Sequence, residues 1–176
     1  ITARPYGKYI PRDSNPSHVT VTYGGVGRNI AHNLCLLGES VNFLTCFGGD
    51  EYASLLMSDC RRIGMDISRA AVYPDERSPY YICITDENGD LASGASDMEL
   101  ARHIDTAFLA KNKDVIDSAD AVVFDTNPDP DVLLWLCENC RAHLFADAVS
   151  CGKAAKLRYV LDNACSHGIH TLKMNR

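Results

Sequence analysis

A mostly parallel β-sheet flanked by helices, with a small antiparallel β lid beside it, is the α/β fold class that this sequence predicts. Two observations carry it. Strand-like runs alternate with amphipathic helical stretches on either side of residues 67–96, and parallel strands joined by crossover helices satisfy such alternation most economically. Within 67–96 the runs 70–73, 79–85 and 91–95 are short and strand-like, and the last two are joined by Asp86-Glu87-Asn88-Gly89-Asp90, whose Asn-Gly step signals a hairpin.

The elements follow in order. Pro5, Gly7, Pro11, Asp13, Ser14, Asn15 and Pro16 make the first eighteen residues read as loop. Residues 19–23 alternate β-branched and polar side chains and form a strand feeding Gly24-Gly25-Val26-Gly27-Arg28-Asn29. A helix over 26–37 stops at Gly38. A strand over 41–47, a turn at Gly48-Gly49-Asp50 and a helix over 51–63 come next, with Asp50 placed as N-cap and Gly64 closing the helix. Beyond the flap come a helix 105–117, a strand 121–125, a helix 131–141, a strand 143–147, helical segments across 153–167 and a strand over 169–173.

With 176 residues, 46% of them hydrophobic, the chain can build one substantial core. A formal net charge of −6 without clustered Lys and Arg argues against a nucleic-acid surface. No apolar run of membrane-spanning length and no signal-peptide layout is present, so a cytoplasmic protein with a small-molecule ligand is expected. The eight cysteines then read as reduced thiols, Cys46 and Cys83 lying within strand-like apolar runs. Cys137-Glu138-Asn139-Cys140, with His143, Cys151, Cys165, His167 and His170 downstream, invites a zinc or redox reading. The pair sits inside a helical segment with no second such pair after it, which favours core cysteines.

The glycine-rich turn is the main functional signal. Adjacent glycines let a ligand approach main-chain amides, and the helix that follows points its positive end at the same spot, so a polar or anionic ligand is expected there. Asp125 and Asn127 end a strand at the edge where open α/β sheets bind ligands. Plainer roles stay open. Gly24 to Asn29 also serves as a simple strand-to-helix connection, Asn29 as a solvent-facing helix residue, Ser14-Asn15-Pro16 as a turn, and Asp97 as the cap of a short helix ending at His103.

The sequence resembles the ribokinase-like (PfkB) carbohydrate kinase family over essentially its whole length. The resemblance rests on Gly24-Gly25-Val26-Gly27-Arg28-Asn29 with Gly38, Asp13-Ser14-Asn15-Pro16, Phe47-Gly48-Gly49-Asp50, Asp97-Met98, Asp147-Ala148-Val149-Ser150 with Lys153, and the tail His170-Thr171-Leu172-Lys173-Met174-Asn175-Arg176. Ser-Asn-Pro, Asp-Met and His-Thr-Leu-Lys tilt it toward the branch that phosphorylates pseudouridine. The resemblance implies a large α/β domain with a β-sheet lid, here about residues 67–96 and part of 10–23, and a sugar or nucleoside bound between them. It implies ATP with Mg on the C-terminal part, and transfer of the γ-phosphoryl group to a 5′-hydroxyl. Gly24 and Gly25 match the hinge glycines, and Asn29 the amide that hydrogen-bonds sugar hydroxyls. Ser14, Asn15, Asp97 and Asn127 are further substrate-side candidates, Lys153 and Lys173 are candidates for base or phosphate, and Asn175 matches an Asn near the nucleotide phosphates and metal. Met174 and Ala148 depart from the family, standing where Pro is usual. No catalytic residue is assigned: the strand bearing the sugar-gripping Asp is expected ahead of Ile1, and the Gly-Ala-Gly-Asp element with the catalytic base beyond Arg176. Residues 1–176 thus read as a partial domain, the substrate-side half, inactive alone, of marginal stability and able to dimerise through the lid. A non-catalytic nucleoside-binding or regulatory module is the alternative.

Overall fold

The computed structural model describes residues 1–164 and 168–174, and its order of elements is the expected α/β alternation. Four strands, β1 (Thr2–Pro5), β2 (Ser17–Thr20), β5 (Tyr80–Thr85) and β6 (Leu91–Asp97), form a mixed sheet in the order β2-β1-β5-β6. The remaining strands are parallel: β3 (Cys46–Gly48) pairs with β4 (Ala71–Tyr73), and β7 (Ala121–Asp125), β8 (His143–Asp147) and β9 (Thr171–Lys173) lie side by side in that order. Around them lie α1 (Val26–Leu36), α2 (Glu51–Ile63), α3 (Thr106–Lys111), α4 (Lys113–Ser118), α5 (Pro130–Asn139) and α6 (Cys151–Asn163), with a 3₁₀ turn at Glu99–His103.

Several expectations are corrected. Thr2–Pro5, read as loop, is a strand, because its partners β2 and β5 are non-local and its four residues carry little signal of their own. The strand expected at 19–23 lies at Ser17–Thr20, since pairing ends where the chain leaves the sheet for α1. Only Cys46–Gly48 of the expected 41–47 strand enters a ladder, Asn42 making an isolated bridge to Asp66. Ala71–Tyr73, placed in the flap by sequence, pairs parallel with β3 instead. The 105–117 helix breaks at Asn112, whose side chain donates to the Phe108 carbonyl at 2.9 Å, so the turn is satisfied without helix continuing through it. Residues 165–167 of the expected last helical stretch lie outside the described residues.

Two cores form. Leu133, Leu136, Cys137, Cys140, Leu144, Leu157 and Val160 pack between α5, α6 and β8, while Ala31, Phe47, Ala53, Cys60 and Met65 pack between α1, α2 and β3. Cys137 and Cys140 are fully buried in the first, and burial pushes both thiols up, as it does Cys60. Cys46 is pushed up to about 11, by burial first and then by Asp105 and Glu76. Thiols held protonated among apolar neighbours behave as small hydrophobes. Among the described residues no helix is long and apolar enough to cross a membrane.

The helix boundaries obey local rules. Asp50 caps α2 by accepting from the Ala53 N–H at 2.8 Å, and Gly64 ends that helix in the left-handed region at φ 100°. Gly38, also left-handed at φ 93°, closes α1 with its N–H on the Cys35 carbonyl while the Glu39 N–H reaches Leu34, a complete Schellman motif.

Within the described chain the four-stranded sheet joins the body through three segments, 21–25, 74–79 and Met98. The middle crossing is packed against the Gly48-Gly49 corner so closely that a Cβ on Gly49 would overlap the Pro74 backbone, and one on Gly48 the Arg77–Ser78 peptide. Asp50 ties the same crossing down, accepting from the Ser78 N–H at 2.7 Å and its hydroxyl at 2.9 Å. Burial would raise the Asp50 carboxyl, but the hydrogen bonds from Ser78 and Ala53 outweigh it and hold the group below the ordinary aspartate value of 3.8.

Two expected outcomes follow from this corner. Gly49→Ala should lower stability by about 1–3 kcal/mol or more through overpacking, whereas Gly24→Ala, whose Cβ would meet nothing within 4 Å, should change it by less than about 1 kcal/mol; chemical denaturation compares them. Asp50→Ala should cost about 2 kcal/mol at pH 7 by removing the cap and the Ser78 bonds. Because the folded-state pKa is depressed, that contribution is present above the unfolded value near 4 and is lost as pH falls through the folded value, so the gap between mutant and wild type should close on acidification.

Candidate functional site

The glycine-rich turn and the C-terminal edge of β7 together line a cleft of about 1100 Å³. Gly25, in the left-handed region at φ 96°, is the N-cap of α1 and lacks a side chain to cap it, so the first N–H groups of the helix are open toward the cleft. One of them is taken by the end of β7: the Gly27 N–H donates to Asp125 Oδ2 at 3.2 Å. That bond fixes the start of α1 against the end of β7, and a carboxylate suits the positive end of a helix.

Asp125 also orders the segment after its own strand. Its Oδ1 accepts from the Asn127 N–H at 2.9 Å and its Oδ2 from the Asn127 side-chain amide at 2.7 Å. Asn127 in turn accepts from Lys153 Nζ, while Lys156 Nζ bonds the Asn127 and Pro128 carbonyls at 3.0 and 2.8 Å. One strand further, Lys173 Nζ pairs with Asp147 Oδ2 at 3.0 Å, and Asp147 Oδ1 accepts from the N–H of Val149, a non-glycine residue at φ 58°. The carboxylate thus stabilises the tight turn from β8 into α6, which Ser150 caps.

Of the residues singled out from sequence, Gly24, Gly25, Asn29 and Asn127 line this cleft together. Asn29 is exposed in the first turn of α1, and its side-chain amide has no hydrogen-bond partner among the described residues, which leaves donors and acceptor available to a ligand. Lys153 stands behind the wall, committed to Asn127, and Lys173 sits at the β9 end, committed to Asp147. Ser14 and Asn15 lie in the exposed β1–β2 connection, where Asn15 bonds Ile10 and Asp13 locally. Asp97 ends β6, exposed, and accepts from the Glu99 N–H at 3.3 Å; its neighbour Met98 lines the cleft. Asn175 lies outside the described residues.

Other groups escaped the sequence reading. Tyr23, Tyr80 and Tyr81 line the cleft, and Tyr80 meets Tyr52 edge-on with ring centres 5.6 Å apart. The paired tyrosines after Pro79 were the available signal. Lys156 and Arg28 were missed because a helical lysine or arginine carries no mark of what it will touch. Among the described residues no group of three or more His, Cys, Asp or Glu side chains is arranged to hold a metal ion.

Comparison with known proteins places this geometry. The pfkB family carbohydrate kinase pattern matches residues 4–174. The chain is 34% identical over 165 residues to the pseudouridine kinase of Escherichia coli, covering 93% of this chain and 51% of that protein. It superposes on a carbohydrate kinase from Agrobacterium tumefaciens with a TM-score of 0.78 at 28% identity, covering 97% of this chain and 55% of the other. The fold is shared with the Arabidopsis thaliana ribokinase solved with ribose and ATP, at a TM-score of 0.67 and 12% identity, over 85% of this chain and 50% of that one. The chain therefore spans about half the length of the relatives it matches, and it belongs to the pfkB family of carbohydrate kinases.

Proposed function

We propose that this chain forms the acceptor-holding part of an ATP-dependent kinase whose substrate is a nucleoside, pseudouridine, phosphorylated on its 5′-hydroxyl. The observation that carries the reading is the cleft lined by the free Asn29 amide, the glycine-rich start of α1 and the Asp125–Asn127 wall. An amide that both donates and accepts suits a vicinal diol. Tyr23 and Tyr81 on the same cleft supply flat apolar surface on which a base can stack. The similarity to pseudouridine kinase supports that choice.

Phosphoryl transfer asks a protein chiefly for positioning and charge stabilisation. In this reading Gly24 and Gly25 are the hinge, Asn29 grips the sugar hydroxyls, and Asn127, held by Asp125 and Lys153, contributes from just past β7. Asp97, next to the cleft-lining Met98, stands at the border of the site, whereas Ser14 and Asn15 lie in the β1–β2 connection beside the β5–β6 hairpin and are not brought to it. ATP supplies the phosphoryl group, and Mg neutralises charge developing on it. The described residues offer no ligand set for that ion, and Asn175, the candidate beside the nucleotide, lies outside them.

The four-stranded sheet acts as the lid. By register Thr2 and Tyr81 share one face and line the cleft, joined by Ile1 and Tyr80 of the other face at the body end of the strands. The opposite face carries Val19, Ala3, Ile84, Ile82 and Ala95, of which Val19 and Ile82 are 57% and 45% exposed. That outward apolar face is where a second copy of the chain would dock in a cytoplasmic homodimer.

Asn29→Ala should weaken pseudouridine binding by more than about 1 kcal/mol, roughly fivefold or greater in Kd. Calorimetry with pseudouridine, uridine and ribose makes the test: equal affinity in mutant and wild type removes Asn29 from the site, and ribose binding as tightly as the nucleosides removes the base from the reading.

A further inference from the structure

Arg28 is the charged residue of the glycine-rich turn to which the kinase reading gives no task, and it is 7% exposed. A guanidinium is not taken out of water without compensation. One end of the fork pairs with Asp59 of α2, which also receives Arg62 at 2.5 Å. The hydrogen bond from Arg62 and the charge of Arg28 hold the Asp59 carboxyl below its ordinary value despite burial, so the pair remains ionic at neutral pH. The other end reaches back to the segment before the helix: Nη1 lies 3.4 Å from the Tyr23 carbonyl oxygen, and the guanidinium carbon stands 5.9 Å from the centre of the Tyr23 ring. Arg28 Nε is buried with no hydrogen-bond partner among the described residues. The placement therefore sacrifices one donor to make the two contacts.

Those contacts matter because the 21–25 crossing has little else to hold it. Residues 21–25 are all exposed, and Gly24 lies in open space. The 74–79 crossing, in contrast, is fixed by Asp50 and by packing on Gly49. It is further joined to the turn after the third crossing, Glu76 accepting from Arg102 at 2.8 Å and meeting His103 Nε2 at 2.6 Å. Arg28 is the counterpart of these anchors on the remaining crossing.

We infer that Arg28 is a positioning residue: by holding Tyr23 against α2 through Asp59, it sets the path of residues 21–25 and so the stance of the four-stranded sheet over the cleft. Its effect on nucleoside affinity rests on the kinase reading; its effect on Tyr23 does not. A lysine keeps the charge but cannot span Asp59 and Tyr23 with one planar fork.

The test is fluorine NMR on protein containing 3-fluorotyrosine at its eight tyrosines, with the Tyr23 line assigned by its loss in Tyr23→Phe. In Arg28→Met the Tyr23 line should move toward the position of free fluorotyrosine while the lines of Tyr73 and Tyr159 stay in place, and pseudouridine Kd should rise about tenfold through lost preorganisation. Arg28→Lys should displace the same line less and recover part of the affinity, and it decides the matter if Arg28→Met does not fold. An unmoved Tyr23 line in the folded variant, or a common shift of all eight lines, overturns the inference. If wild-type protein binds no nucleoside, the functional reading fails, while the Tyr23 line still decides the role of Arg28.

Discussion

The sheet side of the molecule depends on one packed corner, where the backbone of Gly48 and Gly49 touches that of residues 74–78 with no room for a side chain between them. Close backbone contact is rigid but unforgiving, and it must be held in register by something directional. Asp50 supplies the direction. One carboxylate caps α2 and receives two bonds from Ser78, so the helix, the end of β3 and the crossing into β5 share a single anchor. Asp59, nine residues further along α2, anchors Arg28 and through it the start of α1. A helix that looks like ordinary cover for β3 and β4 is thus the frame to which both the 74–79 crossing and the start of α1 are fastened.

Several charged side chains around the cleft already hold hydrogen bonds or ion pairs within the chain. Lys153 and Lys156 are engaged with Asn127 and Pro128, Lys173 with Asp147, and Asp125 with Gly27 and Asn127. The cleft also presents the free Asn29 amide, helix N–H groups and tyrosine rings, together with the exposed carboxylates of Glu39 and Asp120.

Signals confined to a few consecutive residues were legible in the sequence. The caps at Asp50, Gly64 and Gly38, the Asn88-Gly89 hairpin, strands β7 and β8 and the glycine-rich turn lie where the residues put them. What was not legible depends on partners far along the chain. Thr2–Pro5 becomes a strand because β5, some eighty residues away, lies beside it, and Ala71–Tyr73 joins β3 because Gly49 and Pro74 must meet. The site divides in the same way. Gly24, Gly25, Asn29 and Asn127 could be picked from local pattern, but nothing in the sequence reveals that Arg28 turns inward to Asp59, or that Lys153 and Lys173 face carboxylate and amide groups of their own chain.

Among the described residues the four-stranded sheet reaches the body through three crossings, two of them tied by Asp50 and Arg28. A unit hung on a single linker samples a wide cone of orientations, and a ligand that needs one of them must offset the entropy of choosing it. Three attachments leave the sheet a narrow arc of motion, so much of that ordering is already accomplished during folding. Affinity at the cleft is then set less by how many contacts close over the ligand than by how little freedom remains to be lost when they do.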